Sequence, residues 1–321
     1  SLRTLGRARN SSPLIKEISI NLTSKPLLKY LSWTKTIYTC IKKHSYDIIV
    51  AADLYSLMPL CLYAGNHRII YDSRELYTRL SAHVNHPIKN CLLSVLEKFC
   101  MKRISQVMVS AKSDQEYLER LYANYNIVYK IIYNYPQKTL IKTDSTFLRD
   151  KFKISKQKLI LLYQGVIQKN RGILQLIKLI QNTTNTVGVI IGGGEYKQYL
   201  KKYLKKKQLH ERVILMSPTS YHNLLQITSS ADIGIALIKP RGLSNKYALP
   251  NKLFEYALAG IPVLGSSLPN MKKYIIPYNL GWCVGAEDLS QQIKLIEDYQ
   301  RSQRKSFVDG GNINDLFSWE S

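Results

Sequence analysis

Short apolar runs alternate along the chain with longer stretches in which apolar positions recur every three or four residues. The runs are DIIVAA (47–52), RIIYD (68–72), QVMVS (106–110), KIIYN (130–134), LILLYQG (159–165), VGVIIGG (187–193), RVILM (212–216), DIGIALI (232–238) and IPVLG (261–265). Most are apolar throughout, which is how strands covered on both faces read. Helical stretches lie between them, among them PIKNCLLSVLEKFCMKR (87–103), GILQLIKLIQN (172–182) and HNLLQITSSA (222–231). Strand and helix in turn imply an α/β chain of doubly wound parallel sheets.

The period lapses in YPQKTLIKTDSTFLRDKFKISKQ (135–157), which is polar and basic. A boundary placed there predicts a first domain over 1–140, a linker over 141–157 and a second domain over 158–321. Doubly wound domains bind ligands outside the carboxyl ends of their strands, so a cleft between two of them is expected.

Composition narrows the class. With 321 residues, 45% of them hydrophobic, the chain can bury a sizeable core. No apolar run approaches the length of a membrane span, and the chain does not open on a basic-then-apolar signal, so a cytoplasmic protein is expected. Five scattered cysteines without C-x-x-C spacing read as reduced packing residues. Forty-six Lys and Arg against 22 Asp and Glu give a net charge of +24, which asks for an anionic partner: nucleic acid, anionic lipid or a phosphorylated substrate.

The segment NKYALPNKLFEY (245–256) points toward the third of these. Pro250 has a helix-compatible φ and lacks an N–H that a first turn would leave unpaired, so a helix begins there, with Gly260 as its left-handed stop. The free N–H groups and positive dipole end form an anion site, and Lys252 adds a full charge. Glu255, three residues on, shares roughly the same face, where it could accept hydrogen bonds from a ribose. An exposed i, i+3 Lys/Glu pair at an ordinary helix start has the same spacing.

The longer segment GLSNKYALPNKLFEYALAGIPVLGSSLPNMKKYI resembles the donor-site segment of retaining glycosyltransferases of family 4, enzymes of the GT-B fold with two Rossmann-like domains. Other stretches follow in the family's order, including DIIVAADLYSLMPLCLYA, RIIYDSRELY, LILLYQGVIQKNRGILQLIKLI, VGVIIGGGEYKQYL and SADIGIALI. The resemblance covers nearly the whole chain. It implies a nucleotide-diphospho-sugar held mainly by the second domain.

In YQGVIQKNRG (163–172), where the loop after the strand opens at Gly165, Arg171 takes the place of the basic residue on the donor diphosphate. Glu255 takes that of the glutamate on the donor ribose, preceded by Pro250, Asn251 and Lys252. Gly192, Gly193 and Gly194 would let the backbone approach the nucleotide, although a tight turn needs the same residues. Three positions depart from the family, one of them Val166, which stands beside the loop glycine where a second basic residue is expected. Tyr247 stands where a glutamate is often found eight residues before Glu255, and Arg74 stands where a histidine near the reacting sugar is expected. The resemblance also marks both ends as short: SLRTLGRARN corresponds to the end of a second strand region, and FSWES to the point where a last helix would return.

The implied chemistry is transfer with retention, to a cell-surface polysaccharide or lipid-linked acceptor. No D-x-D occurs in the sequence, so metal-independent activity is expected, with no cofactor beyond the nucleotide-sugar co-substrate. His83 and His86 lie in a loop-like HVNHP without a third ligand nearby.

The excess charge concentrates in two basic amphipathic stretches, 24–44 and 195–213. In the latter, Tyr196, Tyr199, Leu200, Tyr203 and Leu204 share one face, with lysines around the other. Either stretch could rest on the inner face of an anionic membrane, or pack on a sheet with its lysines in water. Two other readings remain: a sugar-nucleotide epimerase or silent nucleotide-sugar-binding protein of the same fold, and a nucleic-acid-binding protein, for which no binding module is recognisable.

Overall fold

The computed structural model describes residues 26–137, 145–302, 313 and 315–319. Residues 1–25, 138–144, 303–312, 314, 320 and 321 lie outside these, and the expectation about how the chain begins falls on them.

The chain divides into two units. The first comprises Ser1–Thr78, Ile88–Val109 and Gln115–Ile131, and the second Arg79–Pro87, Ser110–Asp114 and Ile132–Ser321.

In chain order the first part runs α1 (Pro26–Lys43), β1 (Ile48–Ala51), α2 (Leu54–Tyr63), β2 (Arg68–Ser73), α3 (Pro87–Met101), β3 (Gln106–Val109), α4 (Lys112–Leu121) and β4 (Val128–Ile131). The four strands pair in parallel in the order β1-β2-β3-β4. Their sheet is unevenly covered. β2 and β3 alternate buried and partly buried or exposed positions, and β1 leaves Ile48 and Val50 exposed. β4 begins two residues before the apolar run that predicted it, so Val128 pairs with Gln106 and the strand ends at Ile131.

The rest comprises α5 (Phe147–Phe152), β5 (Leu159–Gln164), α6 (Ile173–Asn182), β6 (Thr186–Ile191), α7 (Lys197–Lys206), β7 (Val213–Met216), α8 (Tyr221–Thr228), β8 (Ile233–Ala236), α9 (Gly242–Lys246), α10 (Asn251–Leu258), β9 (Val263–Ser266), α11 (Pro269–Ile275), β10 (Gly281–Val284) and α12 (Leu289–Arg301). Its six parallel strands run β10-β9-β8-β5-β6-β7, so the strand order reverses between β5 and β8. Every residue of β5 and β6 is buried. Leu159, Leu161 and Tyr163 pack on one face with α6, and Ile160 and Leu162 on the other with α10. This alternation within a wholly apolar run is what covering on both faces requires.

The stretch read as a linker holds α5, and Leu148 and Ile154 join the core of the second unit. Strand β10 has no counterpart among the predicted runs, because GWCV is short and begins on a glycine. Gly281 there has φ +139, and a Cβ would lie 2.2 Å from the carbonyl oxygen of Val263. In α7, Leu200 and Leu204 are spent inside the core beside Tyr196 and Tyr203, while Tyr199 remains exposed. That is the sheet-packing reading of the helix. Among the cysteines, Cys61 and Cys100 are buried, but Cys91 is exposed, so the packing role does not extend to it.

Candidate functional site

The reversal of strand order between β5 and β8 defines a switch point, where the loops leaving two neighbouring strands diverge and open a crevice at their carboxyl ends. Most of the residues singled out in the second unit surround this end of the sheet.

Helix α10 supplies two of them. Pro250 is not the first helical residue but the cap before it, in extended conformation (φ −77, ψ 138), and Asn251 opens the helix. Asn251 is exposed, while Lys252 and Glu255 are partly buried. Gly260, at φ +72, ends the helix as expected. Tyr256, fully buried, fixes the helix to the sheet. Its hydroxyl donates to the carbonyl of Leu162 (3.1 Å) and accepts from the backbone N–H of Gln164 (3.2 Å). A Cβ on Gly234 in β8 would lie 2.3 Å from the Tyr256 ring, so the absence of a side chain there lets the ring seat.

So held, Glu255 meets Gln164, the last residue of β5. The Gln164 amide donates to the Glu255 carboxylate, and its carbonyl oxygen accepts from the Thr228 hydroxyl (2.7 Å). Burial pushes the Glu255 carboxyl above its usual range, against the Gln164 hydrogen bond and the charge of Lys252. Tyr221, whose hydroxyl is pushed up to about 12 by burial and then by the Glu255 charge, completes the surroundings of this carboxylate.

Lys252 is not simply a first-turn cation in water. Its Nζ stands 3.5 Å from the centroid of the Tyr163 ring, a cation–π contact, and beside Gly165. Burial pushes its pKa down to about 7, and the charge of Arg171 pushes the same way, with Glu255 opposing. Arg171 therefore shares this end of the sheet. It sits between two left-handed residues, Asn170 (φ 65) and Gly172 (φ 88), just before α6. Two cations and one carboxylate are thus gathered at the end of β5 and the start of α10, where the helix dipole adds positive potential. Such a site is suited to a diphosphate beside a hydroxylated ring.

Gly192 and Gly194 have a different immediate use from the one expected. A Cβ on Gly192 would lie 1.9 Å from the carbonyl oxygen of Gly165, and one on Gly194 2.3 Å from that of Ile167. The close approach they allow is between the loops after β5 and β6, which are joined by the Ile167 N–H donating to Gly193 (2.8 Å). Gly193 faces Pro218.

Tyr247 caps the end of α9, and its carbonyl accepts from the Asn270 side chain (2.6 Å). Arg74 belongs to the first unit, on the loop after β2, where its Nε donates to Asp72 at 2.8 Å. Its guanidinium is largely exposed. The residues that sequence reasoning missed are Gln164, Tyr163, Thr228 and Tyr221. One signal was present: Gln164 is a lone polar residue ending an otherwise apolar buried run.

Among the described residues no three His, Cys, Asp or Glu side chains gather as a metal site. No helix among them is long and apolar enough to cross a membrane.

Two parallel-sheet α/β domains of this kind define the GT-B fold, and solved structures of that fold superpose on the chain. Sucrose-phosphate synthase from Thermosynechococcus elongatus does so with a TM-score of 0.74 at 17% identity, covering 97% of this chain and 82% of its own. HepE from Anabaena, solved with UDP-glucose, gives 0.72 at 15% identity, covering 92% and 81%. TarM from S. aureus, solved with UDP and alpha-GlcNAc-glycerol, gives 0.66 at 12% identity, covering 88% of this chain and 55% of its own. No curated protein matches by sequence. The family profile of glycosyl transferases group 1 matches residues 144–311, more than half of the chain, and the chain belongs to that family.

Proposed function

We propose that this protein is a retaining, metal-independent glycosyltransferase that moves a sugar from a nucleotide-diphospho-sugar to a polysaccharide or lipid-linked acceptor. The observation that carries the reading is the meeting of Arg171, Lys252 and Glu255 at the β5 and α10 ends, beside the switch point of the sheet. In this reading Arg171, Lys252 and the α10 dipole hold the diphosphate, while Glu255, oriented by Gln164, accepts hydrogen bonds from the ribose. The bond from the anomeric carbon to the diphosphate oxygen breaks as the bond to the acceptor oxygen forms on the same face. The acceptor's proton passes to the departing nucleoside diphosphate.

The cations stabilise the charge that develops on that leaving group, which is where a preorganised site gains most. The solved HepE and TarM complexes contain UDP, so uridine donors are the first to test. Arg74 and Tyr247 stand in this reading near the reacting sugar, where the family carries a histidine and often a glutamate. A cytoplasmic enzyme working at the inner face of a membrane fits a lipid-linked acceptor. Transfer assayed with UDP-sugars and followed by proton NMR of the new anomeric signal tests the reading. Retained configuration, unaffected by EDTA, is expected. An inverted product or loss of activity with chelator would overturn the mechanism, and nucleotide binding without transfer to any acceptor would favour a silent binding protein.

A further inference from the structure

Helix α3 is apolar on the wrong side. Its inward face carries Leu93, Cys100 and Met101, together with Glu97, which is the helix's only acidic residue. Glu97 is buried and accepts from the hydroxyls of Tyr122 (2.8 Å), Thr78 (3.2 Å) and Tyr71 (3.5 Å). The outward face carries Ile88, Leu92, Val95 and Phe99, exposed by 86%, 59%, 60% and 49%. Their i, i+4, i+7, i+11 spacing lines them in one stripe along the helix. Lys89 lies to one side of this stripe and Lys98 to the other, with Lys102 just beyond its carboxyl end, and all three are exposed.

A soluble surface rarely holds four large apolar side chains in a row, and such a row marks something that covers it. Its chemistry identifies what. Apolar centre, cationic flanks and no outward carboxylate are what a helix lying in the interface of an anionic bilayer presents. A second copy of the chain fits less well, because pairing α3 with itself would bring Lys89 and Lys98 against their own kind.

We propose that the outward face of α3 is a docking surface for an anionic phospholipid bilayer. The proposal gives the lipid-linked part of the acceptor reading a place on the molecule and rests on that reading for its purpose. The two are tested apart, because vesicle binding needs neither donor nor acceptor. The full chain is sedimented with vesicles of phosphatidylcholine, alone or mixed with phosphatidylglycerol. Three variants are compared: Ile88→Ser/Leu92→Ser/Val95→Ser/Phe99→Ser, Lys89→Glu/Lys98→Glu, and Lys201→Glu/Lys202→Glu on the exposed face of α7. Wild type is expected to pellet with the mixed vesicles only.

The four-serine variant should bind them at least about tenfold more weakly, with an unchanged melting temperature. The α3 charge reversal should weaken binding by more than the α7 reversal, which removes the same net charge elsewhere. Absence of wild-type binding, equal binding by the four-serine variant, or equal loss from both reversals would overturn the proposal. So would a solution dimer that the four serines dissociate, which would assign the stripe to a second copy.

Discussion

Glu97, buried, and Glu255, partly buried, each sit one turn or more inside a helix and are hydrogen-bonded to side chains of a neighbouring element, yet their surroundings differ in kind. Glu97 receives three hydroxyls, from Tyr71, Thr78 and Tyr122. That set of donors satisfies a buried carboxylate and ties α3 to the rest of the first unit. Glu255 receives an amide from Gln164 and otherwise stands near two cations, one of which has been desolvated until its pKa is about 7. A carboxylate and an ammonium side by side, both pushed by burial toward their neutral forms, are an arrangement common at functional sites. Burial alone does not separate a structural carboxylate from a functional one. The company of a desolvated cation does.

The sharpest way to break this contrast is to remove each carboxylate. Glu97→Ala should lower stability by about 2–4 kcal/mol, since it leaves buried hydroxyls without an acceptor and a gap in the core. Thermal melting checks this, and donor affinity should be unchanged. Glu255→Ala should do the reverse, weakening nucleotide binding by about tenfold to a hundredfold. Its melting temperature should be unchanged or higher, as is usual when a group kept for function is removed. If both variants lose stability alike and bind nucleotide alike, the distinction between the two glutamates fails.

A smaller effect sharpens the site itself. Gln164→Leu should reduce nucleotide affinity by about fivefold, because Glu255 would lose its orienting donor while keeping its charge partners. Calorimetry of this variant beside Glu255→Ala separates orientation from charge.

The pH dependence gives the finest test. Lys252 has a folded-state pKa of about 7 against an ordinary 10.5, so the unfolded chain binds more protons between those values. This group therefore opposes folding most fully below about 7, and its penalty is relieved as pH rises toward 10.5. A bound diphosphate should restore the charge. Binding above the depressed pKa should take up a proton, read from calorimetric heats in buffers of different ionisation enthalpy, and the uptake should fade in more acidic buffer. Lys252→Arg should abolish it.

How much of this was legible in the sequence varies with the physical signal. Nine runs became nine parallel strands. In β5, β6, β8 and β9 the unbroken apolar trace answers to burial on both faces, whereas β1 to β4 are apolar runs on a sheet that is only partly covered. Strand β10 left none, since Gly281 and a half-exposed Trp282 give neither an apolar run nor an alternation. Helix α5 was lost in a basic stretch because a six-residue helix with one buried leucine has too few turns to show a period. At the site, Lys252, Glu255 and Arg171 could be named, but their convergence could not. It depends on the Tyr256 ring seating over Gly234, which joins positions 22 residues apart through strand geometry alone.

The stripe on α3 escaped for an opposite reason. A helix apolar on both faces has little asymmetry to detect, and its inward side shows only in the structure, through the burial of Leu93, Glu97, Cys100 and Met101.

The most direct test of the central claim is a calorimetric titration of the protein with UDP, GDP, ADP and CMP, repeated for Arg171→Ala and Glu255→Ala. Tight binding of one nucleotide that both substitutions weaken is the expected result. Failure of all four to bind, or binding that neither substitution alters, would contradict the assignment of the donor site to the β5 and α10 ends.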